Sequence, residues 1–350
     1  MSPATTRKIR EKLRRLDVVF AIDTTGSMGP SIAEVKKRLI GFAHALAQAE
    51  VRPSVALGVV AYRDHPPEDS TYVTQVYPLT EKVEVCQRNI NSLTAFGGGD
   101  GPEAVLDGLH DALNAIEWRE YAHKVVLLVG DAPPHGMVGS EGTASSKGKP
   151  EELNLLERAL RSLTPVADRW PAGCPSGLTS AGIVAHAQGM GITVHAVGVG
   201  SDVAMARSFK QIAAATGGEF VSLEKIDTLI DRILDLLRTE LGKVAVDIDV
   251  FGAWAEATDK SAQGLAVTLG REAAEVDESM KRLASKGALA VDDATAESFR
   301  VMLGETSARG AALIPTVEID AELLGQIKIL EDLEGVDTSE GSFEIRILDE

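Results

Sequence analysis

The sequence predicts an α/β fold, a doubly wound and mostly parallel six-stranded sheet with helices on both faces, followed by a smaller C-terminal α+β unit. Three observations carry this. Short β-rich runs alternate with longer helical stretches over the first two-thirds of the chain, the order that sets parallel strands between crossover helices. Three runs, Val18-Val19-Phe20-Ala21-Ile22, Leu57-Gly58-Val59-Val60-Ala61 and Val125-Val126-Leu127-Leu128-Val129, are continuously apolar, as strands covered on both faces are, and should be central. After about Gly242 the rhythm changes, so residues 16–241 are expected to form the main domain and 242–350 the smaller unit.

Residues 1–15 form a basic lead-in, with Arg7, Lys8, Arg10, Lys12, Arg14 and Arg15 read as the solvated face of a helix. Strands are expected at 16–23, 55–63, 72–77, 123–131, 192–198 and 219–222. Helices are expected at 31–49, 81–93, 102–116, 151–166, 178–188, 204–216 and 226–241. Pro102 suits a first helical turn, where its missing N–H has no partner to lose. Gly217-Gly218 is a helix stop. The connection 132–190 is unusually long, a length that marks functional or disordered loops. Beyond 242, residues 244–250 alternate like a half-exposed strand, a helix-rich stretch follows to about 307, and strand-like runs lie at 311–319 and 342–348.

The composition bounds the function. At 350 residues, 44% hydrophobic and 25% charged, the chain can bury a sizeable core. A net charge of −17 disfavours nucleic acid and anionic membrane as partners, since phosphate binding rests on Lys and Arg density. No apolar run approaches the ~20 residues of a membrane span. Two cysteines, Cys86 and Cys174, make neither a disulfide framework nor a zinc spacing, so a cytoplasmic location is expected. The Gly142-to-Lys149 stretch departs from a P-loop in its spacing and in Pro150, which stands where Ser or Thr is required.

Asp23-Thr24-Thr25-Gly26-Ser27 sits where a buried strand ends and a helix begins, the crevice where open α/β sheets bind ligands. A carboxylate and two hydroxyls at alternating positions on a tight turn can converge on Mg²⁺, which takes oxygen ligands in octahedral geometry. The plainer alternative is that Thr25 or Ser27 caps the following helix.

This Asp-x-Thr-x-Ser run, followed by Met28, resembles the metal-ion-dependent adhesion site of von Willebrand factor A domains, a Rossmann-like fold. Two further segments resemble it in the same order. Gly97-Gly98-Gly99-Asp100-Gly101-Pro102-Glu103 is similar to the Asp-x-Pro-Glu loop of integrin β I-like domains, and Val129-Gly130-Asp131-Ala132 to the fourth-strand Asp. With Ala61-Tyr62-Arg63-Asp64-His65 and the run from Gly130 to Gly136, the pattern resembles A domains found beside atypical α-kinases and in bacterial proteins. The resemblance covers roughly residues 16–241, and the remainder is too short for a kinase domain. It implies Mg²⁺ or Mn²⁺ held by Asp23, Thr25, Ser27, Glu103 and Asp131, with one position open for an Asp or Glu of a partner protein.

Charge density suggests a second site, for Ca²⁺, built from Asp64, Asp100, Glu103 and the carbonyl of Pro102, because clustered carboxylates need a proton or a cation. His65 and His135, on loops at the same edge, are candidate partner contacts. The leading expectation is therefore a divalent-cation-dependent protein-binding module. Two alternatives stand beside it: a metal-assisted hydrolase, which an open metal position would permit, and a scaffold whose C-terminal unit regulates the metal face.

Overall fold

Helix α1 (Pro3–Lys12) carries the basic lead-in, and it is more than a solvated arm. Ile9 is buried, and Lys12 reaches Glu120. The computed structural model describes residues 3–47, 52–98, 101–136, 168–223 and 228–289. The main chain continues through strand β1 (Arg15–Asp23), a single 3₁₀ turn (Gly26–Met28), α2 (Gly29–Ala47), β2 (Ser54–Tyr62), β3 (Thr74–Thr80), α3 (Val83–Ser92) and α4 (Val105–Asn114). Then come β4 (His123–Gly130), α5 (Ser180–Gly189), β5 (Ile192–Val199), α6 (Val203–Ala215) and β6 (Phe220–Leu223), followed by α7 (Leu229–Glu256), α8 (Ala262–Leu269) and α9 (Ala273–Ser285).

The six strands form one sheet in the order β3-β2-β1-β4-β5-β6. All neighbours run parallel except β3, which lies antiparallel on β2 at the edge with Tyr62 opposite Thr74. The three continuously apolar runs are the interior strands β2, β1 and β4. Their side chains alternate between two cores, as a period of two requires. Val18, Phe20 and Ile22 pack with Leu57, Leu127 and helices α2, α3 and α7, while Val19 and Ala21 pack with Val126, Leu128 and helices α4, α5 and α6. This double winding carries the C-terminal ends of β1, β2 and β4, and the loops after them, to one edge of the sheet.

Three expectations need correction. Helix α4 begins at Val105, not Pro102, because Glu103 N–H donates to the Pro133 carbonyl (3.0 Å) and Ala104 N–H to the Arg63 carbonyl (2.9 Å), which ties both residues to neighbouring loops. The edge strand runs from 74 to 80 instead of 72–77.

The largest departure is at 242. The strand expected at 244–250 is the middle of the 28-residue helix α7, which passes through the expected domain boundary. Val244, Val246, Asp247, Ile248 and Val250 are all buried, because α1, α2 and β4 pack against α7 together with α8 and α9. The alternation is a by-product of burial around most of the helix. The first compact unit extends to Leu289. Residues 290–350, and with them the expected strands 311–319 and 342–348, lie outside the described residues, as does the expected helix 151–166.

Candidate metal centre

Four loops are stitched together at the C-terminal edge of the sheet. Thr24 N–H donates to the Tyr62 carbonyl (2.9 Å), Phe96 N–H to that of Thr24 (3.0 Å) and Gly26 N–H to that of Gly97 (3.1 Å). Together with the bonds from Glu103 and Ala104, these link the segments after β1, β2, α3 and β4 into one platform.

Asp23 is the last residue of β1 and fully buried. Its Oδ1 accepts from Thr25 N–H (2.8 Å) and from the Thr25 hydroxyl (2.6 Å), and that hydroxyl lies 3.4 Å from the Ser27 oxygen. Thr25 occupies the position before the 3₁₀ turn but its side chain caps nothing there, which removes the plainer reading for this residue. Asp131 follows β4 directly, half-buried, with the Ser27 hydroxyl beside it. Glu103 is buried, and its carboxylate reaches the same place: a Cβ added at Gly98 would meet Glu103 Oε1 at 2.8 Å and Thr25 Cβ at 3.2 Å. Gly98 also adopts φ +81°, a conformation glycine takes at no steric cost. Gly130 serves the same approach, since a Cβ there would lie 2.4 Å from the Tyr62 hydroxyl and 3.4 Å from Asp23 Cβ.

The electrostatics of this platform are lopsided. Burial and the negative charge of Asp131 push the Asp23 carboxyl up from 3.8 to about 7, and Asp64 adds to the effect. Burial likewise holds Asp131 above its ordinary value, with Asp202 contributing repulsion. The buried Tyr62 phenol is raised by burial and then by Asp23, Asp131 and Glu103, so all three carboxylates surround it. Asp23 Oδ2 is buried without a hydrogen-bond partner among the described residues. A buried carboxylate whose nearest charges are negative fits a site built for a cation. Asp23, Thr25, Ser27, Glu103 and Asp131 thus present hard oxygen donors of the kind Mg²⁺ and Mn²⁺ take.

The second grouping fares differently. Asp64 is fully buried, but its Oδ1 accepts from His65 N–H (2.6 Å) and pairs with His135 Nε2 (2.8 Å). Asp100 lies outside the described residues. Pro102 is buried beside Glu103. Arg63 does not serve this group: it faces Asp69 at 3.8 Å, bonds to the Thr94 carbonyl (2.7 Å) and stacks on Tyr72. The charge that meets Asp64 is the imidazole of His135.

Neither histidine projects toward a partner. His135 is 4% exposed and bridges Asp64 and Asp168 (3.0 Å at Nδ1); burial pulls its imidazole down, but the two carboxylates overcome that and raise it. His65 is 6% exposed and faces Asp107 at 3.0 Å. Burial lowers it, yet hydrogen bonds with Asp107 and Cys174 push it up to about 9. Trp170 packs edge-on against both rings.

Sequence reasoning missed Asp202. It caps α6 by accepting from Met205 N–H (2.6 Å) and adds a carboxylate near Asp131. An Asp between strand β5 and a helix was the available signal. It also missed Asp107, whose position inside a helical run gave none.

Residues 17–135 match the sequence profile of the von Willebrand factor A domain. The alpha-protein kinase vwkA of Dictyostelium discoideum is 30% identical over 121 residues, 35% of this chain; the chain spans 19% of that protein's length. Among solved structures, the pilus adhesin SpaC of Lactobacillus rhamnosus GG in its open conformation has TM-score 0.42 and 16% identity over 65% of this chain and 30% of its own. The vWF domain of the type V pili tip protein Mfa5 of Porphyromonas gingivalis has TM-score 0.39 and 17% identity over 65% of this chain and 96% of its own.

Proposed function

We propose that this chain, whose residues 17–135 match the von Willebrand factor A domain, is a divalent-cation-dependent protein-binding module that captures an acidic residue of a partner protein. The observation that carries this reading is the buried Asp23 carboxylate, which meets no counter-charge among the described residues and lies beside Asp131 and within reach of Thr25 and Ser27.

Asp23, Thr25, Ser27, Glu103 and Asp131 would hold Mg²⁺ or Mn²⁺, directly or through water. When bound, the cation supplies a positive charge with a coordination position open to a carboxylate. The chain's own residues do the rest. Thr25 fixes the Asp23 carboxylate by two hydrogen bonds, Ser27 stands exposed at the mouth, and Tyr62 and Gly130 close the floor against water. On a chain of net charge −17, an acidic partner is otherwise repelled, so attachment depends on the metal.

The geometry supports one hard-cation site over two, since one oxygen of Asp64 is already held by His135. Binding without turnover is favoured over a metal-assisted hydrolase because His135, the imidazole that meets Asp64, has both ring nitrogens engaged, Nε2 by Asp64 and Nδ1 by Asp168. Regulation by a C-terminal unit would act through residues beyond 289. Among the described residues no helix is long and apolar enough to cross a membrane. The test is retention of protein partners on the immobilised chain: it should require Mg²⁺, reverse in EDTA, weaken in excess free glutamate and vanish in Asp23→Ala. Retention that persists unchanged in EDTA contradicts the reading.

A further inference from the structure

A different set of donors lies at the side of this platform and shares no residue with Asp23, Thr25, Ser27, Glu103 and Asp131. His65 Nε2, Asp107 Oδ2 and Cys174 Sγ come from the loop after β2, from α4 and from the segment before α5, and all three atoms lie within 4.8 Å of one another. His65 Nε2 is 3.0 Å from Asp107 Oδ2, Cys174 Sγ is 3.1 Å from that oxygen, and the sulfur is 3.9 Å from the nitrogen. A tetrahedral ion with Zn–S ~2.3 Å, Zn–N ~2.1 Å and Zn–O ~2.0 Å sets its donors roughly 3.3–3.6 Å apart. The three separations bracket that range.

The arrangement is that of a chelate more than of a proton relay. In a thiol–imidazole–carboxylate relay the ring stands between its partners and uses one nitrogen for each. Here the same nitrogen, Nε2, faces both the sulfur and the carboxylate, so three ligating atoms converge on one point. The surroundings hold them there. Ser176 donates to the other Asp107 oxygen at 2.6 Å, orienting the carboxylate as outer-shell partners of metal ligands do, and Trp170 packs edge-on against the His65 ring at 5.6 Å. His65 and Asp107 are buried and Cys174 is half-exposed, which leaves a path for an ion.

We propose that His65, Asp107 and Cys174 form a site for Zn²⁺ or a similar borderline-soft divalent ion, distinct from the hard-cation site at Asp23. Thiolate and imidazole select this class over Mg²⁺ and Ca²⁺. The ion fastens the segment that closes the long connection onto the loop after β2 and helix α4. That segment already contributes Asp168 to His135, so the ion and the His135–Asp168 pair hold it at two points. Three protein donors leave a tetrahedral ion one further position.

The experiment is a Co²⁺ titration of the full chain, stripped of metal and kept reduced, followed by absorption. One equivalent should produce a thiolate-to-cobalt charge-transfer band together with the visible bands of tetrahedral cobalt. Zn²⁺ should bleach both, and excess Mg²⁺ should leave them intact. Cys174→Ser should abolish the charge-transfer band, and His65→Ala and Asp107→Ala should each weaken Co²⁺ affinity about 100-fold or more, at least the upper end of an outer-shell loss. Asp23→Ala should keep the band, which separates this site from the first. Absence of the band in the wild-type protein overturns the proposal whatever the variants do. So does a band that persists in Cys174→Ser, which would come from the buried Cys86, or one that is lost in Asp23→Ala.

Discussion

Buried carboxylates at the two ends of the sheet live under opposite conditions. Toward the N-terminal ends of the strands, Glu240 and Asp247 of α7 are both fully buried and richly compensated. Glu240 accepts from His123 Nε2 (2.5 Å), His195 Nε2 (3.1 Å) and Lys243 (2.7 Å). Each imidazole is set for this by its other nitrogen: His195 Nδ1 accepts from Glu219 N–H, and His123 Nδ1 faces Lys286 Nζ, so Nε2–H of both rings donates to Glu240. Asp247 accepts from Ser279, Arg282 and Lys286 at 2.7–3.0 Å. Burial would raise both carboxyls, but these donors win and hold them below their usual values. At the C-terminal edge, burial wins at Asp23, and the charges acting on it are those of Asp131 and Asp64. The fold can neutralise a buried acid where it uses one as a brace. Where it gathers acids from separate loops, as at Asp23 and Asp131, no cation among the described residues meets the buried Asp23 oxygen, which is the basis for proposing a bound ion there.

The contrast predicts opposite signs for similar substitutions. The largest effect is at the brace: Asp247→Ala strands Arg282 and Lys286 and should cost about 3–5 kcal/mol in urea denaturation. Next, Mg²⁺ at a hundred times its dissociation constant should stabilise the wild-type chain by about 2.7 kcal/mol through mass action. Asp131→Ala should lose that gain.

At the platform, Asp23→Asn removes a charge held at a disadvantage, so without metal at neutral pH it should raise stability, on the order of 2 kcal/mol. A destabilisation there as large as that of Asp247→Ala would erase the contrast. The pH dependence follows from the same group. Its folded-state value, about 7, lies above 3.8, so its contribution to metal-free stability is fully present below 3.8 and is lost as pH rises through about 7. The melting temperature in EDTA should therefore carry a decline toward neutral pH that Asp23→Asn lacks. Smallest of all, Tyr62→Phe should cost about 1 kcal/mol or less, since the hydroxyl makes only a 3.4 Å contact to the Val129 carbonyl.

Most of the platform was legible in the sequence because its parts are local. The three interior strands show as continuously apolar runs, and Asp23 and Asp131 stand at the ends of two of them. The brace was not legible, since Asp247 meets Arg282 and Lys286 more than thirty residues away and its neighbours imitate a strand. The convergence of His65, Asp107 and Cys174 was not legible for the same reason: successive members lie 42 and 67 residues apart and meet only in the folded chain. His135 was misread because an exposed loop position was assumed for a side chain that in fact closes the network between Asp64 and Asp168.

The proposed cation at the C-terminal edge would sit between Asp23 and Asp131, the two carboxyls that burial raises there. Titration calorimetry of Mg²⁺ and Mn²⁺ into the metal-free chain tests it most directly, with Asp23→Ala and Asp247→Asn as the paired variants. Saturable binding is expected for the wild-type and Asp247→Asn proteins, and its loss is expected in Asp23→Ala. Equal affinity in the wild-type and Asp23→Ala proteins, or no binding of either ion by the wild-type chain, would contradict it.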